Sequence, residues 1–234
     1  MDKVKKNLRF GKMFRSFLSL FLKSNCPLCQ RPADLELCDF CQRQLQKCQL
    51  PNCKELWQGD LPVFAWGVYG GILKRAIAAL KYENHPQLAR PLGQYLGKAW
   101  LKAQLSFPEK FSHPPTVVPI PLHATKLKKR GFNQAELLAE SFCEVTRLKL
   151  TAKGLERIKE TEALFGLSPQ ERIENLQNAF RVGKGLRRQS QVILLDDIYT
   201  TGNTVKEAAK ALQQQGIATC GVVAIATPLH SKLG

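Results

Sequence analysis

The segment from Gln191 to Thr204, which reads QVILLDDIYTTGNT, restricts the possible folds more than any other part of this chain. Four apolar residues predict a buried strand, and the carboxylates of Asp196 and Asp197 stand at its carboxyl end. A turn of threonine and glycine follows, and the residues from Val205 to Gln215 predict a helix. Such a strand–turn–helix unit is typical of α/β proteins. The alternative interpretation is an ordinary unit of this kind with a polar loop.

The turn also predicts an anion site. A helix amino terminus presents unpaired backbone N–H groups and a positive dipole end, so a phosphate fits there. The hydroxyls of Thr200, Thr201 and Thr204 can add donors. Asp196 and Asp197 lie just upstream, where they would face the group that carries the phosphate. Carboxylates in that position suit recognition of a diol or binding of Mg²⁺.

The second strong pattern is a cysteine cluster. Two Cys-x-x-Cys pairs are separated by eight residues, and they comprise Cys26, Cys29, Cys38 and Cys41. This spacing can bring four thiolates around one Zn²⁺, and such a site stabilises a small fold without taking part in catalysis. Disulfides or a redox pair are the alternatives.

Four further cysteines do not complete a recognisable metal motif. Cys48 and Cys53 could form part of a second ribbon, substitute in the first site or stay free, and we assign them no metal. Cys143 and Cys220 have apolar neighbours and are predicted to lie in the core. Thiols in this number favour a reducing cytoplasm.

Composition limits the remaining possibilities. The chain has 234 residues, enough for one α/β domain and a small appendage, and 44% of them are hydrophobic, which argues against disorder. Its 35 Lys and Arg exceed 19 Asp and Glu, giving a net charge of +16. This charge favours association with polyanions such as nucleic acid, although a basic soluble protein would have the same composition.

Residues 1–24 predict a basic amphipathic helix. Lysines and arginines alternate there with Phe14, Phe17 and Phe21 at helical spacing. We expect neither a secretory signal nor a membrane span in the chain. The apolar stripe either packs on the rest of the protein or contacts a membrane surface.

The remaining chain alternates between strand and helix patterns. Strands are predicted at 63–69, 116–121, 191–198 and 220–227, with helices at 72–82, 87–105, 133–147 and 205–215. Alternation of this kind predicts a parallel sheet flanked by helices, with ligands at the carboxyl ends of the strands.

A basic segment follows the second of these strands. It reads HATKLKKRGFNQ, and its cations are Lys126, Lys128, Lys129 and Arg130. A cationic loop at the same sheet edge could neutralise a pyrophosphate. A solvated charge cluster is the alternative. His123 is the only histidine near this loop and is a weaker candidate.

Two of these segments resemble known families. The Gln191–Thr204 segment resembles the phosphoribosyl-pyrophosphate (PRPP) signature of type I phosphoribosyltransferases. That resemblance assigns Asp196 and Asp197 to the ribose hydroxyls as candidate catalytic residues. It assigns the 5-phosphate to Thr200, Thr201, Gly202, Asn203 and Thr204.

Other segments of the chain narrow this resemblance to one group of proteins. RGFNQ at 130–134, LKYENH at 80–85 and SPQERIENLQNAFRV at 168–182 resemble the ComF group. Its members join a cysteine-rich zinc module to a type I phosphoribosyltransferase domain. We therefore expect a basic helix at 1–24, a zinc module at 25–60 and a phosphoribosyltransferase-like domain at 61–234. Thr161–Glu162–Ala163–Leu164 departs from the group, since leucine replaces its usual glutamine.

The resemblance implies three functional hypotheses. The first is an enzyme that uses PRPP with Mg²⁺, for which the sequence offers neither a base pocket nor a general base. The second is a single-stranded-DNA-binding competence factor, since ComF proteins are associated with DNA uptake beside a helicase-like partner at the inner membrane. A basic stretch at Arg181, Lys184, Arg187 and Arg188 supports it, although few aromatic residues accompany that stretch. The third is a PRPP sensor without turnover.

Overall fold

The structure is a computed structural model that describes residues 24–103, 114–160 and 177–228. The expected amphipathic helix at 1–24 and the Thr161–Leu164 segment fall almost wholly outside the described residues, so both stay predictions. No helix in the described ranges is long and apolar enough to cross a membrane.

A four-stranded parallel sheet forms the centre of the fold. In chain order its strands are β3 (Val63–Val68), β4 (Thr116–Pro119), β7 (Gln191–Ile198) and β8 (Ala218–Thr227). They lie side by side in the order β3-β8-β7-β4, and every neighbouring pair is parallel. Parallel strands need crossover connections, which the helices supply. The predicted fold class, a parallel sheet flanked by helices beside a small cysteine module, is confirmed.

The helices connect these strands and cover both faces of the sheet. They are α1 (Asp39–Gln46), α2 (Gly71–Tyr82), α3 (Ala89–Ala103), α4 (Ala124–Arg130), α5 (Gln134–Thr146) and α6 (Asn203–Gln213), with a 3₁₀ turn at Pro86–Leu88. Alternate residues of β7 enter different clusters. Ile193 and Leu195 pack with α3 and α5, whereas Val192 and Leu194 pack with α6. The sheet is therefore buried on both sides.

Two short antiparallel pairs accompany the sheet. The first joins β1 (Ser24–Asn25) to β2 (Pro32–Ala33) within the cysteine module. The second joins β5 (Leu155–Arg157) to β6 (Phe180–Val182), and the sequence patterns did not predict it. It places Arg157 beside the segment that precedes α4, through a bridge between His123 and Arg157.

The cysteine module is packed on the main domain. Its buried Leu28, Leu37 and Leu45 belong to the same apolar cluster as Phe64 and Trp66 of β3. Residues in the second half of the module also bind the outer edge of β3. Its backbone bonds include Leu50 N to Trp66 O at 2.9 Å and Val68 N to Cys48 O at 2.9 Å. The free edge of the strand is thereby covered.

Close contact between α3 and α5 depends on a glycine. A methyl group on Gly93 would lie 2.6 Å from the carbonyl oxygen of Leu138 and 2.7 Å from Cβ of Ser141. Neither atom is the end of a flexible side chain, so an added methyl would force the two helices apart.

We expect Gly93→Ala to destabilise the protein by about 1–3 kcal/mol, because overpacking exceeds the gain in helix propensity. Chemical unfolding monitored by circular dichroism measures this change. Lys98→Ala, at an exposed position of the same helix, is the control and should change stability by less than about 0.5 kcal/mol. A stabilised Gly93→Ala protein would contradict the packing described.

Candidate anion site at the carboxyl ends of the strands

The two acidic residues at the end of β7 occupy different environments. Asp197 is buried, with 3% of its surface exposed, and its Oδ2 forms an ion pair with Nζ of Lys81 at the end of α2. Its Oδ1 accepts a hydrogen bond from Nε2 of Gln134 at 3.1 Å. Asp197 continues the Ile193–Leu195 face of the strand and therefore points toward the α2 and α5 side.

Asp196 continues the opposite face of β7 and is half-buried. Its Oδ1 accepts a hydrogen bond from the backbone N–H of Asp197 at 2.9 Å. Burial and then the adjacent Asp197 carboxylate raise the pKa of Asp196 to about 8, although Lys81 opposes that shift. Asp196 is therefore the acid that lacks an ion-pair partner at short range among the described residues, and it is available to a ligand.

The sequence predicted that both carboxylates face the ligand, and the structure instead directs Asp197 toward Lys81. Burial by itself lowers the pKa of Lys81, but the charge and hydrogen bond of Asp197 raise it above its usual value. Lys81 is thus a charged member of the site that the sequence analysis missed. Its position in LKYENH, in the last turn of a helix, was the available signal.

The predicted phosphate turn has the expected backbone form. Helix α6 begins at Asn203, and Gly202 precedes it with a φ of +76° and no side-chain cap. The positive φ favours glycine at this position, and a methyl group there would also lie 2.6 Å from the hydroxyl oxygen of Tyr199, whose side chain would have to move. The first N–H groups of α6 have no acceptor within the helix, as an anion site needs.

The basic segment is a helix rather than the predicted loop. Helix α4 ends at Arg130, because Gly131 takes a φ of +84° and terminates it. Lys126 and Arg130 are half-buried on one side of α4, whereas Lys128 and Lys129 are exposed. The four cations therefore divide by exposure into two groups, and the two half-buried ones are four residues apart on one helix face.

Arg157 joins the half-buried cations. Burial, then the charges of Arg157 and Arg130, lower the pKa of Lys126, while Glu160 opposes the shift. Burial also lowers the pKa of Arg157, and the carboxylate of Asp196 partly offsets this. The charges of Arg157 and Arg130 thus act on Lys126, and the charge of Asp196 acts on Arg157. The sequence analysis missed Arg157, which lies in a three-residue strand.

The RGFNQ segment connects these groups. Arg130 donates to Oε1 of Gln134, whose amide nitrogen donates to Asp197, and the guanidinium of Arg130 also lies 5.5 Å from the ring centroid of Tyr82. Asn133 caps α5 by accepting from Ala135 N at 3.2 Å. His123, by contrast, has local partners: its Nδ1 lies 3.0 Å from Oγ1 of Thr125 and 3.9 Å from Glu160.

The four predicted cysteine ligands meet at one point. Their sulfur atoms all lie within 4.8 Å of one another, and those of Cys29 and Cys38 are 3.4 Å apart. Zn–S bonds of about 2.3 Å in a tetrahedron separate the sulfurs by about 3.8 Å, so the cluster fits a zinc ion. Burial raises the pKa of Cys26, but hydrogen bonds from backbone groups outweigh it and lower the value to about 7.

The other cysteines lie outside this cluster. Cys48 contacts the carbonyl oxygen of Gln44 at 3.7 Å, and Cys53 contacts that of Trp66 at 3.5 Å. Cys220 is buried and Cys143 is half-buried against the same core. All eight thiols are free of disulfides. Cys48 and Cys53 are therefore packed thiols here and form no second ligand set with the described residues.

A cavity of about 760 Å³ lies elsewhere, at the amino ends of β7 and β8, where Gln191 and Ala218 line it. The polar groups described above are at the carboxyl ends of the same strands. Because the acids and the free helix amino terminus are absent from the cavity, we place the candidate site at the carboxyl ends.

We expect Lys81→Met to destabilise the protein by about 3–5 kcal/mol, because it leaves the buried Asp197 charge unpaired. Adding Asp197→Asn should recover part of the loss, with a coupling energy of about 1–3 kcal/mol. Equilibrium unfolding of the two single variants and the double variant measures the cycle. Arg90→Ala, which breaks an exposed pair with Glu36, is the control and should cost less than about 1 kcal/mol. Strictly additive losses would contradict the pairing.

Comparison with known proteins finds relatives across most of the chain. No family model matches it. Competence protein F of Haemophilus influenzae is 29% identical over 197 residues, covering 82% of this chain and 85% of that protein. The DNA utilization protein YhgH of Escherichia coli is 30% identical over 204 residues, covering 84% of this chain and 87% of that protein.

Solved structures give a weaker likeness. A hypoxanthine phosphoribosyltransferase from Staphylococcus aureus aligns with a TM-score of 0.38 at 13% identity, covering 62% of this chain and 66% of that chain. A likeness at this level carries no conclusion about ligand or activity. Family membership rests on the curated relatives, whose similarity extends over more than four fifths of the chain. The chain therefore belongs to the ComF family of competence and DNA utilization proteins.

Proposed function

We propose that this protein binds PRPP or a related phosphoribosyl ligand with Mg²⁺, and that this binding serves DNA uptake in natural competence. The observation that supports the proposal is the juxtaposition of an anion-binding turn, the available acid Asp196 and the half-buried cations. Each of the three suits a different part of a phosphorylated sugar that carries a pyrophosphate. Its relatives are named for competence and DNA utilization, which supports the cellular role.

Different residues of the site would bind different parts of the ligand. The turn from Thr200 to Thr204 would hold the 5-phosphate through backbone N–H groups and hydroxyls. Asp196 would accept hydrogen bonds from the ribose hydroxyls. The cations Lys126, Arg130 and Arg157 would stabilise the pyrophosphate, while Lys128 and Lys129 are too exposed to contribute as much.

Mg²⁺ fits the donor set of the site. Mg²⁺ is commonly held by one or two carboxylates together with phosphate oxygens of the ligand, and it neutralises charge on a departing pyrophosphate. Asp196 would be its protein ligand. Asp197 would act by positioning Lys81 and Gln134, because displacing it from a buried ion pair is costly. If transfer occurs, these groups would stabilise the leaving charge, and positioning would supply much of the remaining acceleration.

We expect Asp196→Asn to weaken Mg²⁺-dependent binding of PRPP by about 10- to 100-fold, because an amide replaces the carboxylate that would be the protein ligand of Mg²⁺. Isothermal titration calorimetry with PRPP and Mg²⁺ measures the affinity. Asp60→Asn, an exposed acid at the opposite end of the sheet, is the matched control and should bind like the wild type. Unchanged affinity in Asp196→Asn would rule out the proposed ribose contact.

The second candidate is a single-stranded-DNA-binding competence factor without transferase turnover. The net charge of +16 favours it, as do the exposed Arg181, Lys184, Arg187 and Arg188 around β6. Competition between PRPP and an oligonucleotide in the same titration separates the candidates.

We further propose a reducing cytoplasmic location, with contact to a competence helicase and peripheral contact of residues 1–24 with the inner membrane.

We also propose that Cys26, Cys29, Cys38 and Cys41 bind a structural Zn²⁺, which would hold the module in its folded form. Purified protein should contain about one zinc per chain by elemental analysis, because four thiolates in this arrangement complete a closed site. Cys41→Ser should lose the metal and unfold the module. Cys48→Ser, which alters a nearby thiol outside the cluster, should retain it. Metal-free protein that keeps its full thermal stability would contradict a structural zinc.

A further inference from the structure

We propose that Tyr82 and Arg130 form a stacking platform for a nucleobase beside the anion site, so that the site accepts a complete nucleotide unit. This inference rests on the anion site of the proposed function, since the phosphate of that nucleotide would lie there. PRPP has no base and would leave the platform unused.

The side chain of Tyr82 is open to solvent. It lies at the end of α2, and 77% of its surface is exposed, compared with 43% for Phe40 and 42% for Leu127. The guanidinium of Arg130 is 5.5 Å from its ring centroid, a cation–π distance. Tyr82 thus combines a large aromatic surface open to solvent with an adjacent positive charge, which is the combination that single-strand-binding proteins use to bind bases.

Polar contacts within the site hold the platform in position. Arg130 donates to Gln134, Gln134 donates to Asp197, and Asp197 pairs with Lys81, the neighbour of Tyr82 in sequence. These contacts connect the ring of Tyr82, by way of Arg130, to Lys81 in the same helix. Because the hydrogen bond to Gln134 already holds the guanidinium of Arg130, less conformational entropy is lost when a base stacks on the platform.

Exposed apolar surface adjoins the platform. Leu127 lies one helical turn before Arg130 on α4 and is 42% exposed. An exposed apolar side chain is therefore next to a cation of the site. A ligand made only of sugar and phosphate gains little from such surface, whereas a flat aromatic base can bury it.

Stacking of this kind would tolerate any base, because every base presents a π face. The base could belong to a free mononucleotide or to a nucleotide within a single strand.

The test compares a thymidine oligonucleotide with an abasic oligonucleotide of the same length, by fluorescence anisotropy at fixed salt. Tyr82→Ala should weaken binding of the thymidine oligonucleotide by about 5- to 150-fold, which corresponds to one stacked base. The same variant should bind the abasic oligonucleotide and PRPP within about threefold of wild type. Tyr82→Phe, which keeps the ring, should bind all three ligands within about twofold of wild type.

Phe40→Ala is the matched control. Phe40 also has an arginine over its ring, Arg31 at 4.5 Å, but it lies on the cysteine module. It should not alter the difference between the two oligonucleotides. Calorimetry with thymidine monophosphate then identifies the source of the base. A matching loss in Tyr82→Ala supports a free nucleotide, and a loss confined to the oligonucleotide supports a strand.

Equal losses on the thymidine and abasic oligonucleotides would overturn the platform, since Tyr82 would then act only on phosphate through Arg130. Wild-type protein that binds neither nucleotide probe would also overturn it. If PRPP fails to bind while the base-dependent loss persists, the platform stands and the PRPP proposal fails.

Discussion

The buried ion pair between Lys81 and Asp197 determines the arrangement of the candidate site. Removing two charges from water is costly, and only close pairing with further hydrogen bonds offsets that cost. Here Gln134 supplies the additional bond to Asp197. The pair therefore ties the end of α2 to β7 and, through Gln134, to the start of α5. It also withdraws one of the two acids from solvent and leaves Asp196 as the carboxylate available to a ligand.

Local patterns in the sequence predicted much of the framework. Strand β7 has the predicted bounds. A run of apolar residues between polar ends is a local signal, so it can be recognised without knowing any contact with distant residues. The cysteine spacing likewise specified which four thiols meet. Where local signals competed, the prediction was less accurate. Helix α6 begins at Asn203, two residues before the predicted start, because the left-handed backbone of Gly202 allows the helix to start there.

Contacts between distant residues could not be read in the same way. Lys81 lies at the end of a helix and Arg157 in a three-residue strand. Neither segment has a sequence pattern that indicates which distant residues it contacts. The divergence of the two acids was accessible, however. Neighbouring residues of a strand point to opposite faces, so the sequence already implied that Asp196 and Asp197 face different sides of β7. Which side was buried against a cation depended on the packing of α2.

The charges around Asp196 support the proposal that this site binds an anion. Lys81 pairs with Asp197, while the carboxylate of Glu160 acts on Lys126 and that of Asp196 acts on Arg157. Repulsion from Arg157 and Arg130 already lowers the pKa of Lys126. Half-buried like charges destabilise one another, and a bound polyanion relieves that repulsion while meeting the free N–H groups of α6. In the proposed function, repulsion among these cations would therefore favour binding of an anion.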